Sequence, residues 1–149
     1  MSYDVTATDV AARPTAVVAA TTTWQEFPTL WRTLLDEVWG CLRASGIERG
    51  CRNVMLYRDD RPRVDVEVGV ELLRPCTLTG RVVPSVLPAG QVAMTVHYGP
   101  YAGLAAAHQA VHDWCVANRR RPAGTRWEVY GPHDDDSAKI WTEVYWLLS

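Results

Sequence analysis

Phenylalanine is nearly missing from this chain: one Phe stands against seven Trp and six Tyr. Trp and Tyr combine a large apolar face with a polar edge, so the skew suits a pocket wall as well as a core. Other shortages exclude whole classes of protein. The four cysteines, Cys41, Cys51, Cys76 and Cys115, form no C-x-x-C pair and no dense framework. They read as buried or free thiols in a reducing compartment. The opening "MSYDVTATDVAARP" holds two Asp and lacks the apolar segment of a secretory signal. No apolar run approaches membrane-spanning length. The expected address is therefore the cytoplasm, with no membrane partner. A net charge of −2 supplies no basic field to draw in nucleic acid. The one dense basic cluster, Arg119, Arg120 and Arg121, falls at an expected helix end, where cations complement the helix dipole.

Motifs are scarce too. No Gly-rich phosphate loop, no G-x-S-x-G elbow and no paired catalytic carboxylate motif occurs. His108 and His112 have the i, i+4 spacing of helical metal ligands, but no Glu follows His108 and no third ligand is placed. One is expected in packing and the other at the surface beside Asp113. Asp134, Asp135 and Asp136 form a solvated turn that lacks the spaced ligands and Gly of a calcium loop. No metal and no cofactor are expected.

What remains is a globular composition, 48% hydrophobic and 21% charged, in 149 residues, enough for one domain with a real core. Residues 14–24 are β-branched and read as a strand. In residues 27–46 apolar positions recur at three- and four-residue steps, which predicts an amphipathic helix with Pro28 in its first turn and Gly46 at its exit. Residues 51–59 read as a strand, followed by turn chemistry at "RDDRP". Residues 63–72 alternate strictly, with Val64, Val66, Val68, Val70 and Leu72 on one face and Asp65, Glu67, Gly69 and Glu71 on the other. The prolines of residues 79–90 confine that stretch to an edge strand or linker. A second series follows: strand 91–98, helix 99–121 with Leu104, Ala107, Val111 and Trp114 in one stripe, then strands 125–131 and 139–148.

The order β-α-β-β thus occurs twice. Pro28 falls opposite Pro100, Leu42 opposite Trp114, Tyr57 opposite Tyr130 and Glu67 opposite Glu143, an offset of 72 to 76 residues. The expected fold is α+β: a tandem β-α-β-β repeat, halves near 1–75 and 76–149, two antiparallel sheets with one long helix each, and a central ligand cleft. In the first half the face away from the helix is expected to be polar and wet. In the second, alternation puts Glu143 beside Trp141 and Tyr145 on that face, and Thr142, Val144 and Trp146 on the other. A carboxylate between two large rings suits the floor of a ligand site. The rings would stack a flat or cationic molecule and the acid would pair its charge. The alternative is a structural acid, hydrated at a sheet edge or bonded to a Tyr or Trp donor.

The segment "VHYGPYAGLAAAHQAVHDWCVAN…GTRWEVYG…KIWTEVYWLL" resembles the GyrI-like small-molecule-binding domain, the effector-binding module of AraC- and MerR-type regulators that also occurs in stand-alone proteins. The resemblance rests on the Gly-Pro-Tyr junction at residues 99–101, Trp114, "WEVY" at 127–130 and "TEV" at 142–144, together with the opening "YDVTATDVAARPTAVVAA". It implies a deep acid that receives lipophilic cations, here Glu143 by motif. It also implies an alternative, since some stand-alone members resemble hydrolases of cyclopropane-bearing alkylators that use Glu and Tyr. A helix-turn-helix segment is lacking, so direct DNA reading is not expected. Three readings follow. The first is a receptor that sequesters hydrophobic small molecules, cations among them, with Glu143 as anchor, Trp141, Tyr145, Tyr130 and Trp24 as walls, and Tyr101 and His97 at the mouth. The second is a hydrolase in which Glu143 is the general base and Tyr101 or Tyr130 donates a proton. The third is a modulator of a protein partner such as gyrase or a regulator.

Overall fold

A computed structural model describes residues 2–60 and 62–149. The elements are β1 (Thr6–Val10), β2 (Arg13–Thr22), α1 (Phe27–Ala44), β3 (Asn53–Asp60), β4 (Arg63–Glu71), β5 (Val83–Leu87), β6 (Gly90–Tyr98), α2 (Leu104–Ala117), β7 (Pro122–Tyr130) and β8 (Trp141–Leu148). The fold is α+β. The chain divides into two compact units, Ala12–Leu87 and Met1–Ala11 with Pro88–Ser149. The N-terminal strand β1 pairs antiparallel with β6, Thr6 opposite Met94.

Each unit follows the order β-α-β-β and adds one edge strand. In the unit Ala12–Leu87 the strands lie in the order β3-β4-β2-β5; in the other, β7-β8-β6-β1. Registers correspond as well. Tyr57 on β3 sits opposite Val66, the residue before Glu67, and Tyr130 on β7 sits opposite Thr142, the residue before Glu143. The proline-bearing stretch is the edge strand β5, paired with β2 alone within its unit, so Pro84 withholds no hydrogen bond from a central ladder.

In the unit Ala12–Leu87, Pro28 occupies the first turn of α1 and Gly46 leaves the helix with φ +85°. The alternation of β4 places Val64, Val66, Val68 and Val70 under α1, each 1% exposed or less. Burial of such a side chain contributes about 1.5 kcal/mol or more. The opposite face is wet as expected at Asp65, Arg58 and Ala19, which are exposed, and dry towards Gly69. Val17, Val54 and Leu56 share it with Glu67 through the registers of β2 and β3, and all three are buried. One strand read alone shows its own polar residues but not the apolar neighbours that pairing brings. Glu67 is held there by Arg58 at 2.8 Å and Ser85 at 2.5 Å. Arg61, in the turn expected at "RDDRP", lies outside the described residues.

In the other unit, α2 covers Ala93 and Val144 with Ala107, Val111 and Cys115, and Leu104, Trp114 and Trp146 pack around them. The helix is shorter than expected. Tyr101–Gly103 forms a separate 3-10 turn, and the helix stops at Ala117. Its exit is Arg119, at φ +54°, a conformation that usually falls to glycine; Asn118 caps the end by donating to the Trp114 carbonyl at 2.8 Å. The three arginines therefore follow the helix, and Arg120 donates to Gln91 at the start of β6. Among the described residues, no helix is long and apolar enough to cross a membrane.

Gly69 marks a tight approach between β4 and β2: a Cβ there would lie 1.9 Å from the Ala16 carbonyl oxygen. A ladder oxygen cannot step aside as a flexible side chain can. Gly69→Ala is expected to cost about 1–3 kcal/mol, read as a lowered midpoint in urea unfolding. Burial also pushes the Cys115 thiol up, against the nearby charge of Arg120. In alkaline solution the unfolded chain ionises this thiol first, so its stabilising contribution falls as pH rises. Iodoacetamide on the native protein should accordingly label Cys115 more slowly than the half-buried Cys51.

Candidate functional site

The site is built on the face of β6, β8 and β7 that turns away from α2. On β8, Val144 enters the core beneath α2, so alternation sends Trp141, Glu143 and Tyr145 to the opposite side. Cross-strand pairing fixes their neighbours. Tyr145 lies between Met94 and Trp127, Glu143 between Val96 and Val129, and Trp141 beside Tyr98. The surround of Glu143 is thus apolar and aromatic on both flanking strands.

Three contacts order this face. The Tyr145 hydroxyl donates to Glu143 Oε1 at 2.6 Å. The Tyr145 ring stacks on Trp127 with centroids 5.5 Å apart and planes 14° from parallel. The Trp141 ring lies over Gly131, where a Cβ would come within 2.5 Å of it. Trp127, Val129 and Tyr145 are buried, while Glu143, Trp141, Met94 and Val96 are half-buried. At the β6 edge a cleft of about 370 Å³ is lined by Ser2, Tyr3, Asp4, Thr95, Val96 and Tyr98. Val96 joins it to the Glu143 row.

The other site residues expected from the sequence lie elsewhere. Tyr130 pairs with Thr142, on the α2 side, and its hydroxyl donates to Glu128. Tyr101 packs edge-on against Tyr130, centroids 5.7 Å apart. Strand parity thus turns Tyr130 to the face of β7 opposite the one Glu143 shares, and Tyr101 packs against Tyr130. His97 is on the α2 side too, 5% exposed. Its Nε2 meets the Pro100 carbonyl at 2.8 Å and its Nδ1 the Tyr3 hydroxyl at 2.9 Å. A carbonyl only accepts, so Nε2 carries the proton and Nδ1 accepts from Tyr3. Both ring nitrogens are thus spent on holding the Gly-Pro-Tyr junction and the N-terminal segment, not on a mouth. Trp24 belongs to the unit Ala12–Leu87, where it packs against Phe27 and Tyr57 at 5.9 and 5.1 Å.

Sequence reasoning passed over Glu128 as a site acid. It sits one residue from Trp127, on the opposite face, 5% exposed. His108 Nε2 lies 2.7 Å from Glu128 Oε2, and Trp146 Nε1 donates to His108 Nδ1 at 2.9 Å. An indole N–H can only donate, so Nδ1 accepts and the imidazole proton is on Nε2, directed at the carboxylate. Trp146, His108, Glu128 and Tyr130 thus form hydrogen bonds that converge on the Glu128 carboxylate and tie α2 to β7 and β8. The i, i+4 partner His112 is exposed and lies 3.5 Å from Asp113. The available signal was the E-x-Y spacing shared by Glu128–Tyr130 and Glu143–Tyr145: in both, a Tyr two residues on bonds the acid on its own face.

Gly131→Ala must displace the Trp141 ring, because the added methyl and the indole claim the same space. We expect near-ultraviolet circular dichroism to change with far-ultraviolet signal retained; identical near-ultraviolet spectra would contradict this packing.

A comparison with family models matches residues 3–149 to the GyrI-like small molecule binding domain. Solved structures align over the whole chain. The C-terminal domain of EcmrR aligns with a TM-score of 0.73 at 18% identity, covering 100% of this chain and 99% of that one. EcmrR in its DNA complex gives 0.76 at 19%, covering 99% of this chain but 57% of that one, so this chain spans little more than half of that chain. SAV2435 bound to tetraphenylphosphonium gives 0.70 at 14%, covering 100% and 94%. A hydrolase encoded by lin2189 from Listeria innocua gives 0.64 at 11%, covering 99% and 93%. At these identities the likeness is one of fold. No curated protein sequence matches the chain.

Proposed function

The chain belongs to the GyrI-like small-molecule-binding family, and from that premise we propose that it binds hydrophobic aromatic cations on the face of β6, β8 and β7, with Glu143 as the charged anchor. The observation that carries this reading is the Tyr145–Glu143 bond of 2.6 Å beside the Tyr145–Trp127 stack. The tyrosine fixes one carboxylate oxygen in place, so the acid meets a ligand in a set orientation. The half-buried Trp141 offers a ring, a cation–π contact contributing about 0.5–2 kcal/mol, and the buried Trp127–Tyr145 stack backs the acid. The cation bound by SAV2435 supports the choice of ligand class.

A hydrolase would instead pair Glu143 with a nearer proton donor than Tyr130, which faces the other side of β7 with Tyr101 packed against it. The hydroxyl beside that acid is the one on Tyr145, and a hydrolase built here would use it. Incubation with a cyclopropane-bearing alkylator separates the readings: a receptor returns the compound intact, whereas a hydrolase adds water, detected by mass.

Calorimetric titration with tetraphenylphosphonium tests the receptor directly. Glu143→Gln keeps the shape and removes the charge, and should weaken binding at least about tenfold, the equivalent of about 1.4 kcal/mol. Tyr145→Phe should weaken it by less. Equal affinities for Glu143→Gln and the parent protein would remove Glu143 as anchor.

A further inference from the structure

A second cleft, in the unit Ala12–Leu87, has no part in the proposed site. It encloses about 390 Å³ between the C-terminal half of α1 and the loop that joins β4 to β5, and is lined by Cys41, Ala44, Ser45, Pro75, Cys76, Thr77 and Thr79. Two of the four cysteines of the chain thus line one hollow. The Thr77 carbonyl draws them together: Cys41 Sγ donates to it at 3.3 Å and Cys76 Sγ at 3.7 Å. Two atoms held at those distances from one oxygen are at most about 7 Å apart.

We infer that Cys41 and Cys76 are a redox pair that closes to a disulfide under peroxide. The bond requires sulfurs about 2.05 Å apart, and so a closing movement of at most about 5 Å. The loop can supply it. Residues 72–82 contain no helix or strand, so Cys76 can turn its side chain and shift its backbone without breaking a ladder. Cys41 is fixed on α1, its sulfur also 3.7 Å from the Thr79 hydroxyl. Other bonds already hold the loop against the helix end: Ser45 Oγ donates to the Thr77 carbonyl at 3.3 Å, Arg74 to the Gly46 carbonyl at 3.0 Å, and Arg81 pairs with Glu37 at 2.5 Å.

The order of events follows exposure. Cys76 is half-buried and meets the oxidant first, whereas Cys41 is 8% exposed. The Cys76 thiolate attacks one peroxide oxygen, the O–O bond breaks, and hydroxide leaves to become water, giving a sulfenic acid. The Cys41 thiolate then attacks that sulfur, the S–O bond breaks, and the second hydroxide leaves as water. Two thiols lose two electrons and two protons; one hydrogen peroxide becomes two waters.

Exposing the native protein to stoichiometric hydrogen peroxide, blocking residual thiols and digesting without reductant tests the pair. The expected product is an intramolecular Cys41–Cys76 linked peptide, two hydrogens lighter than its parts and lost on treatment with dithiothreitol. The thiol count should fall by two. Cys76→Ser should leave Cys41 reduced under the same exposure, and Cys51→Ser should leave the link unchanged. Cys76 found as sulfinic or sulfonic acid without a link, a link to Cys51, or a link only between two chains would each overturn the proposal. None of these outcomes depends on whether the protein binds cations.

Discussion

The two-residue period of β8 is the constraint on which the rest depends. A single eight-residue strand must seal the core under α2 and also furnish the opposite face. Because alternate side chains leave opposite sides of a strand, Val144 and Trp146 cannot be buried against the helix without Glu143 and Tyr145 being sent away from it. A slip of one residue would put the carboxylate into the helix interface and expose the valine. The hydrophobic core therefore fixes the register, and the register fixes the face that carries the acid.

The two carboxylates on neighbouring strands illustrate how surroundings decide a role. Glu128 and Glu143 each accept from a tyrosine two residues further along. Glu128 is additionally met by an imidazole N–H, and that imidazole is in turn oriented by an indole. A buried acid with its oxygens engaged in this way serves cohesion between helix and sheet. Glu143 is half-buried and flanked by valines on the adjoining strands. Chemically the same residue, it faces the side of the sheet away from α2 and is the acid proposed above as the ligand anchor.

Much of this was legible in the chain. Period-two alternation in residues 63–72 and 140–148 gave strands and faces, and the three- and four-residue steps of residues 27–46 gave α1. These are local signals, strong where one face is buried. What was not legible depends on pairing between distant segments. The polar strand β1 has no alternation to reveal it, and acquires its place only from β6. The buried Val54, Leu56 and Val17 that share a face with Glu67 and Gly69 arrive from other strands. Aromatic residues were pooled into one pocket because ring type, unlike parity, says nothing about side: Tyr130 and Tyr145 look alike in sequence and stand on opposite faces. Trp127 is the converse case, a ring passed over as a wall that register places against Tyr145.

The partnership of β1 with β6 sets an itinerary for synthesis. The unit Ala12–Leu87 is one uninterrupted stretch, so all of it is translated before β6. The other unit contains both the earliest and the latest residues of the chain. Until β6 emerges, β1 must wait without its ladder, and its composition, Thr-Ala-Thr-Asp-Val, is the polar kind that resists sticking to other nascent chains. The ladder of β1 is thereby completed only after the unit Ala12–Leu87 has been made.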